Sequence, residues 1–133
     1  MATMTARQRR SVEQVAYNAM NANCPTRQLV GVLSDKWVTL VLCALTPGPR
    51  RHSEIAREIA GVSQKMLTQT LRGLERDGFV TRTVTPSVPV RVDYELTDLG
   101  REFAPLLAAI KGWAEAHMDE VFAAREAYDG AVA

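Results

Sequence analysis

The sequence predicts a mainly α-helical fold with one small β-hairpin, an α+β arrangement. Apolar residues recur at helical spacing through most of its 133 residues. Only between residues 80 and 96 does the period change to two, which is typical of two short strands. The length and the hydrophobic content of 47% fit one globular domain. We place that domain at residues 11–125, between a disordered tail at 1–10 and a frayed tail at 126–133.

The first predicted helix covers residues 11–23. Ser11 and Gln14 have the three-residue spacing of a capping box. Apolar residues follow at helical spacing, among them Val12, Val15 and Ala19. A lone amphipathic helix ahead of the main body must pack on its own domain or on a second chain. We expect it to contribute to a dimer interface.

The next two helices are predicted to begin the core. Cys24 precedes Pro25, and proline is favoured at the first helical position, so Cys24 is the expected N-cap of a short helix that ends near Leu33. Residues 36–45 are apolar on nearly every side, which predicts a buried helix. Cys43 lies in that helix, and we expect it to be a small core residue.

Two further helices are predicted on either side of a tight turn. Ser53 is the expected N-cap of a short helix that Gly61 ends, and Ser63 is the expected N-cap of a longer helix that reaches about Asp77. The longer helix has one apolar face, formed by Leu67, Leu71 and Leu74. Its other face is polar and carries Gln64, Lys65, Thr68, Gln69 and Arg72.

The hairpin and a last helix complete the chain. The two strands within residues 80–96 are joined by a loop with prolines at its tip, where no ladder donor is needed. Thr97 is the expected cap of a long helix over residues 97–125. We expect the apolar seam of that helix to hold a dimer together: Phe103, Leu106, Leu107, Ile110, Trp113 and Val121.

Residues 24–96 therefore contain the parts of a winged helix-turn-helix: a short helix, a turn, a longer helix and a hairpin. In that fold the second helix enters the major groove of DNA, and the wing contacts the backbone or the minor groove. Residues 50–91 carry eight basic and four acidic side chains, whereas residues 92–133 carry three basic and nine acidic ones. We expect DNA contacts from Arg51, His52, Ser63, Gln64, Lys65, Thr68, Gln69, Arg72, Ser87 and Arg91.

The motifs between Cys24 and His117 resemble the HxlR-type winged-helix transcription regulators, relatives of the MarR-like proteins. The resemblance rests on Cys24-Pro25, Asp35-Lys36-Trp37, Ser63 to Gln69, Leu71 to Glu75, the wing from Pro86 to Arg91, and Tyr94 to Gly100. It implies a homodimeric, one-component bacterial regulator whose dimer interface uses the terminal helices. In some members the inducing signal is thiol oxidation or electrophile modification at the Cys24 position. The chain departs from the pattern in its longer N-terminal extension, residues 1–23.

Cys24 is the candidate sensor. A helix N-terminus favours an anion, and Arg27 adds a positive charge, so both favour the thiolate that attacks oxidants and electrophiles. A cysteine in a tight turn can also be only a small structural residue, and the sensor role depends on the resemblance. We expect Cys24 to pair with Cys24 of a partner chain or with a small thiol rather than with Cys43.

The sequence contains no pattern typical of an enzyme, a metal site or a bound cofactor. Its two cysteines and two histidines lack metal-ligand spacing, and neither a nucleophile elbow nor a Gly-rich phosphate loop occurs. The N-terminus is not a signal peptide and no apolar run is long enough to cross a bilayer, so we expect a cytoplasmic protein.

Three functions remain open at this point. The first is a dimeric DNA-binding regulator, expected to be a repressor on an inverted-repeat operator, that oxidation or electrophile modification inactivates. The second is the same regulator switched by a reversible small ligand, such as an aromatic inducer, at the dimer seam. The third is a winged-helix module that only associates with proteins.

Overall fold

The computed structural model describes residues 3–18 and 24–132, and within these it is mainly helical with one antiparallel hairpin, as the sequence predicts. The elements follow in the order α1 Ala6–Asn18, α2 Pro25–Leu33, α3 Val38–Leu45, α4 His52–Glu58, α5 Gln64–Arg76, β1 Val80–Thr85, β2 Arg91–Leu96 and α6 Asp98–Val132. The chain divides into two compact units, one up to Val38 and one from Thr39 onward, where the sequence predicts a single domain over residues 11–125.

Helix α1 begins earlier than the predicted Ser11. Thr5 and Gln8 form a reciprocal cap, in which the Thr5 hydroxyl accepts from the Gln8 N–H at 3.1 Å and the Gln8 side-chain oxygen accepts from the Thr5 N–H at 2.8 Å. The prediction of a disordered tail over residues 1–10 is therefore wrong for residues 6–10, which are helical. Residues 19–23, the end of the predicted helix, lie outside the described residues.

The predicted cap of α2 is confirmed. The Cys24 sulfur accepts a hydrogen bond from the backbone N–H of Arg27 at 3.2 Å, and Pro25 is the first helical residue. Helix α3 begins two residues later than predicted, after the Asp35 carboxylate accepts from the Trp37 N–H at 2.9 Å. No single helix among the described residues is long and apolar enough to span a membrane.

The second unit has one apolar core, to which α3, α4, α5, the hairpin and the start of α6 contribute. Each fully buried aliphatic side chain in it stabilises the fold by about 1.5–3 kcal/mol. The buried apolar residues of this core are Val41, Leu42, Leu45, Ile55, Ile59, Leu67, Leu71, Leu74, Val80, Leu96, Phe103 and Leu107. Cys43, which the sequence places in the core, is only partly buried, and Leu40 is exposed, so α3 is not enclosed on every side.

Helix α4 starts at His52, so the predicted N-cap Ser53 is wrong by two residues. Arg51 is the N-cap, and its backbone N–H donates to the Glu54 carboxylate at 3.1 Å. The turn that follows α4 contains Gly61 at φ +85°, a left-handed conformation that glycine adopts at little cost. Ser63 caps α5 as predicted, because its hydroxyl accepts from the Met66 N–H at 3.1 Å.

Strands β1 and β2 form the hairpin that the change of period predicts. They pair in register from Val80 opposite Leu96 to Thr85 opposite Arg91, with residues 86–90 at the tip. The sequence did not reveal a further backbone pair between Arg50 and Tyr94, in which the N–H of each donates to the other's carbonyl at 2.9 and 2.8 Å. This pair fixes the segment before α4 to the outer side of β2.

Helix α6 begins after Thr97, as predicted. The Thr97 hydroxyl accepts from the Gly100 N–H at 3.0 Å and donates to the Gly78 carbonyl at 2.6 Å, which joins the helix start to the turn after α5. The ring of Phe103 stacks on that of Phe79 with centroids 5.1 Å apart. These contacts hold the first turns of α6 against the hairpin and α5.

The far end of α6 differs from the prediction. The helix has 35 residues and runs to Val132, so the predicted frayed tail at 126–133 is helical over 126–132. Beyond Leu107 none of its described residues is buried in the chain, and several large apolar side chains there are exposed: Ile110, Trp113, Phe122 and Tyr128.

Candidate nucleic-acid interface

Helix α5 has one buried and one exposed face. Leu67, Leu71 and Leu74 are buried in the core. The opposite face opens onto a groove of about 690 Å³, which we name the recognition groove, lined by His52, Gln64, Lys65, Thr68, Gln69 and Arg72. All six are among the predicted DNA contacts, and the structure brings them together on one surface.

A hydrogen bond between the two helices shapes the recognition groove. The His52 Nε2 atom lies 3.1 Å from the Thr68 hydroxyl, and both side chains are partly buried. This bond fixes α4 against the middle of α5. Gln64 and Gln69 remain exposed on either side of it, with amide groups that can both donate and accept hydrogen bonds.

Two other predicted contacts are engaged within the protein. The Ser63 hydroxyl caps α5, so it stabilises the helix that carries the groove. The Arg51 side chain pairs with Glu54 at 3.0 Å, and this hydrogen bond, together with one from the Arg51 backbone, lowers the pKa of the Glu54 carboxyl below its usual value. Arg51 is nevertheless half-exposed at the edge of α4.

The predicted wing contacts are also engaged in local interactions. The Ser87 hydroxyl donates to the Pro89 carbonyl at 2.7 Å within the hairpin tip. Arg91 forms an ion pair with Asp93 at 3.0 Å, and the hydrogen bond to Asp93 raises the pKa of the Arg91 guanidinium above its ordinary value. Because a carboxylate already compensates its charge, Arg91 is a weaker candidate for a phosphate contact than the sequence indicates.

Arg82 is a candidate contact that the sequence reasoning missed. It is exposed on β1 opposite Tyr94 and, with Thr68, Arg72 and Glu75, lines a polar cavity of about 370 Å³ between α5 and the hairpin. Among the ion pairs of the described residues, none includes Arg82. The sequence offered one indication: Arg82 lies between Val80 and Val84 on the strand face that begins with the buried Val80.

The predicted dimer residues of α6 fall into two groups. Phe103 and Leu107 are buried in the chain's own core, Leu107 at 1% exposure, so their assignment to a dimer interface is wrong. They share a helix face with the rest of the seam, but the chain's own core covers that part of it, where Phe103 stacks on Phe79. Leu106, Ile110 and Trp113 are exposed at 59%, 48% and 56%.

Of the other predicted dimer residues, two are exposed or partly exposed, and two lie outside the part of the chain that the structure describes. Val121 of α6 is partly exposed, and Val12 of α1 is 54% exposed. The side chain of Val15 and the whole of Ala19 lie outside the described residues.

The two cysteines differ in their surroundings. Cys24 is buried, with 9% exposure, and its sulfur lies at the N-terminus of α2. Burial raises the pKa of the Cys43 thiol, and the positive charge of Lys111 opposes that rise in part. Within residues 3–18 and 24–132, no three His, Cys, Asp or Glu side chains are grouped closely enough to hold a metal ion.

Residues 32–122 match the family model described as HxlR-like helix-turn-helix. The HTH-type transcriptional regulator YtfH of Escherichia coli is 41% identical over 109 residues, which cover 82% of this chain and 86% of YtfH. The solved structure of ytfH from Salmonella typhimurium superimposes with a TM-score of 0.73 at 40% identity and covers 82% of this chain and 97% of its own.

Two further solved structures carry redox descriptions. The reduced form of the transcriptional regulator YodB from B. subtilis has a TM-score of 0.62 at 35% identity and covers 71% of this chain and 93% of its own; a diamide-treated form was also solved. The redox regulator HypR in its reduced form has a TM-score of 0.70 at 34% identity and covers 74% of this chain and 98% of its own; an oxidised form exists as well.

Proposed function

The chain belongs to the HxlR-like helix-turn-helix family of transcriptional regulators, a class that is not enzymatic, and from that membership we propose that it binds double-stranded operator DNA as a homodimer. The family and the winged-helix fold are those that the sequence predicts. In the proposed complex α5 lies in the major groove, while the hairpin contacts the backbone or the minor groove.

The observation that carries this proposal is the recognition groove on α5. A helix whose apolar face is buried presents Gln64, Gln69 and Arg72 on one exposed ridge. Amide groups match the edge of adenine, and a guanidinium matches the edge of guanine, in the major groove. Lys65 and Arg82 lie beside that ridge as cations suited to phosphate contacts, which set register but not sequence.

The exposed apolar side chains of α6 support a homodimer. At 1.5 Å per residue the helix is about 52 Å long, and only its first ten residues are anchored in the chain's own core. A second copy packed along the remainder would cover Ile110 and Trp113. A two-fold dimer places two recognition helices about 34 Å apart, or a multiple of that distance, and therefore requires an inverted repeat in the operator.

Cys24 is the proposed redox and electrophile sensor, and loss of operator binding on its modification would make the protein an inducible repressor. Its sulfur lies at a helix N-terminus, and HypR, at 34% identity, is described as a redox regulator. Cys24 is only 9% exposed, so modification of its thiol requires local opening of the segment around it. A disulfide with Cys24 of the partner chain, or with a small thiol, would prevent that segment from closing again.

The direct test of DNA binding is a gel-shift titration on DNA from upstream of the protein's own gene. A random duplex of equal length is the control, and both are titrated at several salt concentrations. We expect tighter binding to the upstream DNA and a linear fall of log K with log salt for both duplexes. Absence of DNA binding at every salt concentration would refute the proposal and favour a protein-association module.

A further inference from the structure

The hydrogen bond between His52 and Thr68 joins two side chains that both line the recognition groove. His52 is the first residue of α4 and Thr68 lies on α5, and the Nε2 atom of one is 3.1 Å from the Oγ1 atom of the other. Both side chains are partly buried, and Thr68 also lines the polar cavity beside Arg82. The Thr68 hydroxyl therefore contacts His52 on one side and is open to the groove on the other.

The protonation of one ring nitrogen determines what Thr68 presents to the groove. A hydroxyl has one hydrogen to donate and lone pairs that accept. When Nε2 carries a hydrogen, His52 donates to Thr68, and the hydroxyl hydrogen is left for a ligand in the groove. When Nε2 carries none, the hydroxyl donates to His52 and offers the groove only its lone pairs. A neutral imidazole permits either arrangement, whereas the charged ring donates from both nitrogens.

The charges around His52 favour the charged ring when a polyanion is bound. Lys65 and Arg72 line the groove with His52, and none of the described residues that line it is a carboxylate. Carboxylates on the elements packed around His52 have cationic neighbours of their own. They are Glu54 and Glu58 of α4, which pair with Arg51 and Arg50, Asp93 of β2, which pairs with Arg91, and Glu75 of α5, which lines the polar cavity with Arg72, Arg82 and Tyr94. In the free protein the cations oppose a charge on His52, whereas the phosphates of a bound duplex favour it.

We propose that in the DNA complex His52 donates from Nε2 to Thr68, so that the Thr68 hydroxyl donates to a keto oxygen, O4 of thymine or O6 of guanine. His52 is then a positioning residue that determines base preference through Thr68. Loss of the imidazole proton at higher pH allows the hydroxyl to donate to His52 instead, and the preference for a keto base over the amino group of cytosine or adenine falls. This inference rests on the proposed DNA-binding function.

The first measurement locates the base that Thr68 contacts. The parent chain selects its tightest duplex from a pool of random duplexes, and every single-base substitution of that duplex is then titrated by fluorescence anisotropy. Thr68→Val, which has a similar shape but no hydroxyl, is titrated in parallel. The position at which the two proteins differ most is the base in contact with Thr68. Duplexes with dU and dC at that position compare an oxygen with an amino group, and neither base carries the methyl group of thymine.

Substitutions of His52 separate its protonation from its position. At about pH 6 we expect the parent chain to bind the dU duplex about fivefold more tightly than the dC duplex, and at about pH 8 less than about twofold. The amide of His52→Gln does not titrate, so its ratio should not change with pH. His52→Phe fills a similar space without a hydrogen bond, so its ratio should be below about twofold at both pH values. Thr68→Ser, which retains the hydroxyl, should respond as the parent chain does.

Imidazole ¹⁵N NMR tests the hydrogen bond in the absence of DNA. The chain has two histidines, and His117→Gln leaves His52 as the only one. Thr68→Val in that background should change the Nε2 chemical shift of His52, because the bonding partner is lost. A chain that shows this change but binds no DNA would refute the DNA-binding proposal, whereas a chain that binds DNA without this change would refute the role of His52 alone.

Three results of the DNA titrations would overturn the role of His52. The first is a ratio of the dU and dC affinities that is the same in Thr68→Val and the parent chain. The second is tighter binding of the parent chain to dC than to dU. The third is a ratio that does not change with pH in the parent chain, or that changes equally in His52→Phe.

Discussion

Replacing Gly100 by alanine is expected to destabilise the junction between α6 and the hairpin. Gly100 is buried near the start of α6, and a Cβ atom added there would lie 2.3 Å from the Phe79 carbonyl oxygen and 3.3 Å from a methyl group of Leu96. The Phe79 oxygen also accepts the Thr97 N–H at 3.0 Å, so it cannot move away without disturbing that bond.

The size of the effect follows from two opposing contributions. Overpacking of this kind costs about 1–3 kcal/mol, and contact with backbone rather than with a flexible side chain places Gly100→Ala at the upper end of that range. Replacing a helical glycine by alanine returns about 1 kcal/mol through helix propensity. The net prediction is a loss of about 2 kcal/mol in the free energy of unfolding.

Urea denaturation of Gly100→Ala and Gly73→Ala at one protein concentration measures this difference. Gly73 lies on α5, and a Cβ atom there would meet nothing within 4 Å, so the same substitution should stabilise the protein by about 0.5–1 kcal/mol. Opposite signs are expected for the two variants. A Gly100→Ala variant as stable as the parent chain would refute the close packing of α6 against Phe79.

Three further predictions concern the wing, the sensor and the dimer. Arg82→Ala should weaken binding to operator and random DNA alike and should reduce the slope of log K against log salt by about one unit. That reduction should exceed the one in Arg91→Ala, because Arg91 already has a carboxylate partner. Fluorescence anisotropy measures both slopes, and equal slopes for the two variants would contradict this prediction. Diamide should abolish operator binding by the parent chain and by Cys43→Ser but not by Cys24→Ser, and equal loss in all three would reject Cys24 as the sensor. Trp113→Ala should raise the dissociation constant of the dimer by about 30-fold or more, since an interfacial tryptophan often contributes about 2 kcal/mol. Light scattering across a dilution series measures this constant, and a value equal to that of the parent chain would show that Trp113 is not in the interface.

Much of the fold could be predicted because helix starts depend on residues only three positions apart. Cys24, Ser63 and Thr97 each accept the N–H that their caps require, as the sequence indicates. The prediction of Ser53 as the N-cap of α4 is wrong because a contact between residues distant in sequence sets the helix start. The backbone pair between Arg50 and Tyr94 fixes the chain just before α4, and the helix starts at once after it.

The exposed face of α5 could also be predicted from local spacing in the sequence. The period of the leucines separates the buried and exposed faces of α5, so the recognition groove follows from the sequence alone. Periodicity does not say which partner covers an apolar face, which is why Phe103 and Leu107 were assigned to a dimer although the chain's own core contains them. Arg82 was missed because its proximity to Arg72 depends on how the hairpin packs against α5.

The central claim is that α5 reads bases. The most direct test is the ratio of the affinities for operator and random DNA, measured for Arg72→Ala and compared with that for Lys65→Ala. Arg72→Ala should lose about 1–3 kcal/mol of binding to the operator, which is about 5–150-fold, with a much smaller loss on random DNA. Lys65→Ala should weaken binding to both duplexes to the same extent, so the ratio of the two affinities should not change. An unchanged ratio in Arg72→Ala would contradict base reading by this face of α5.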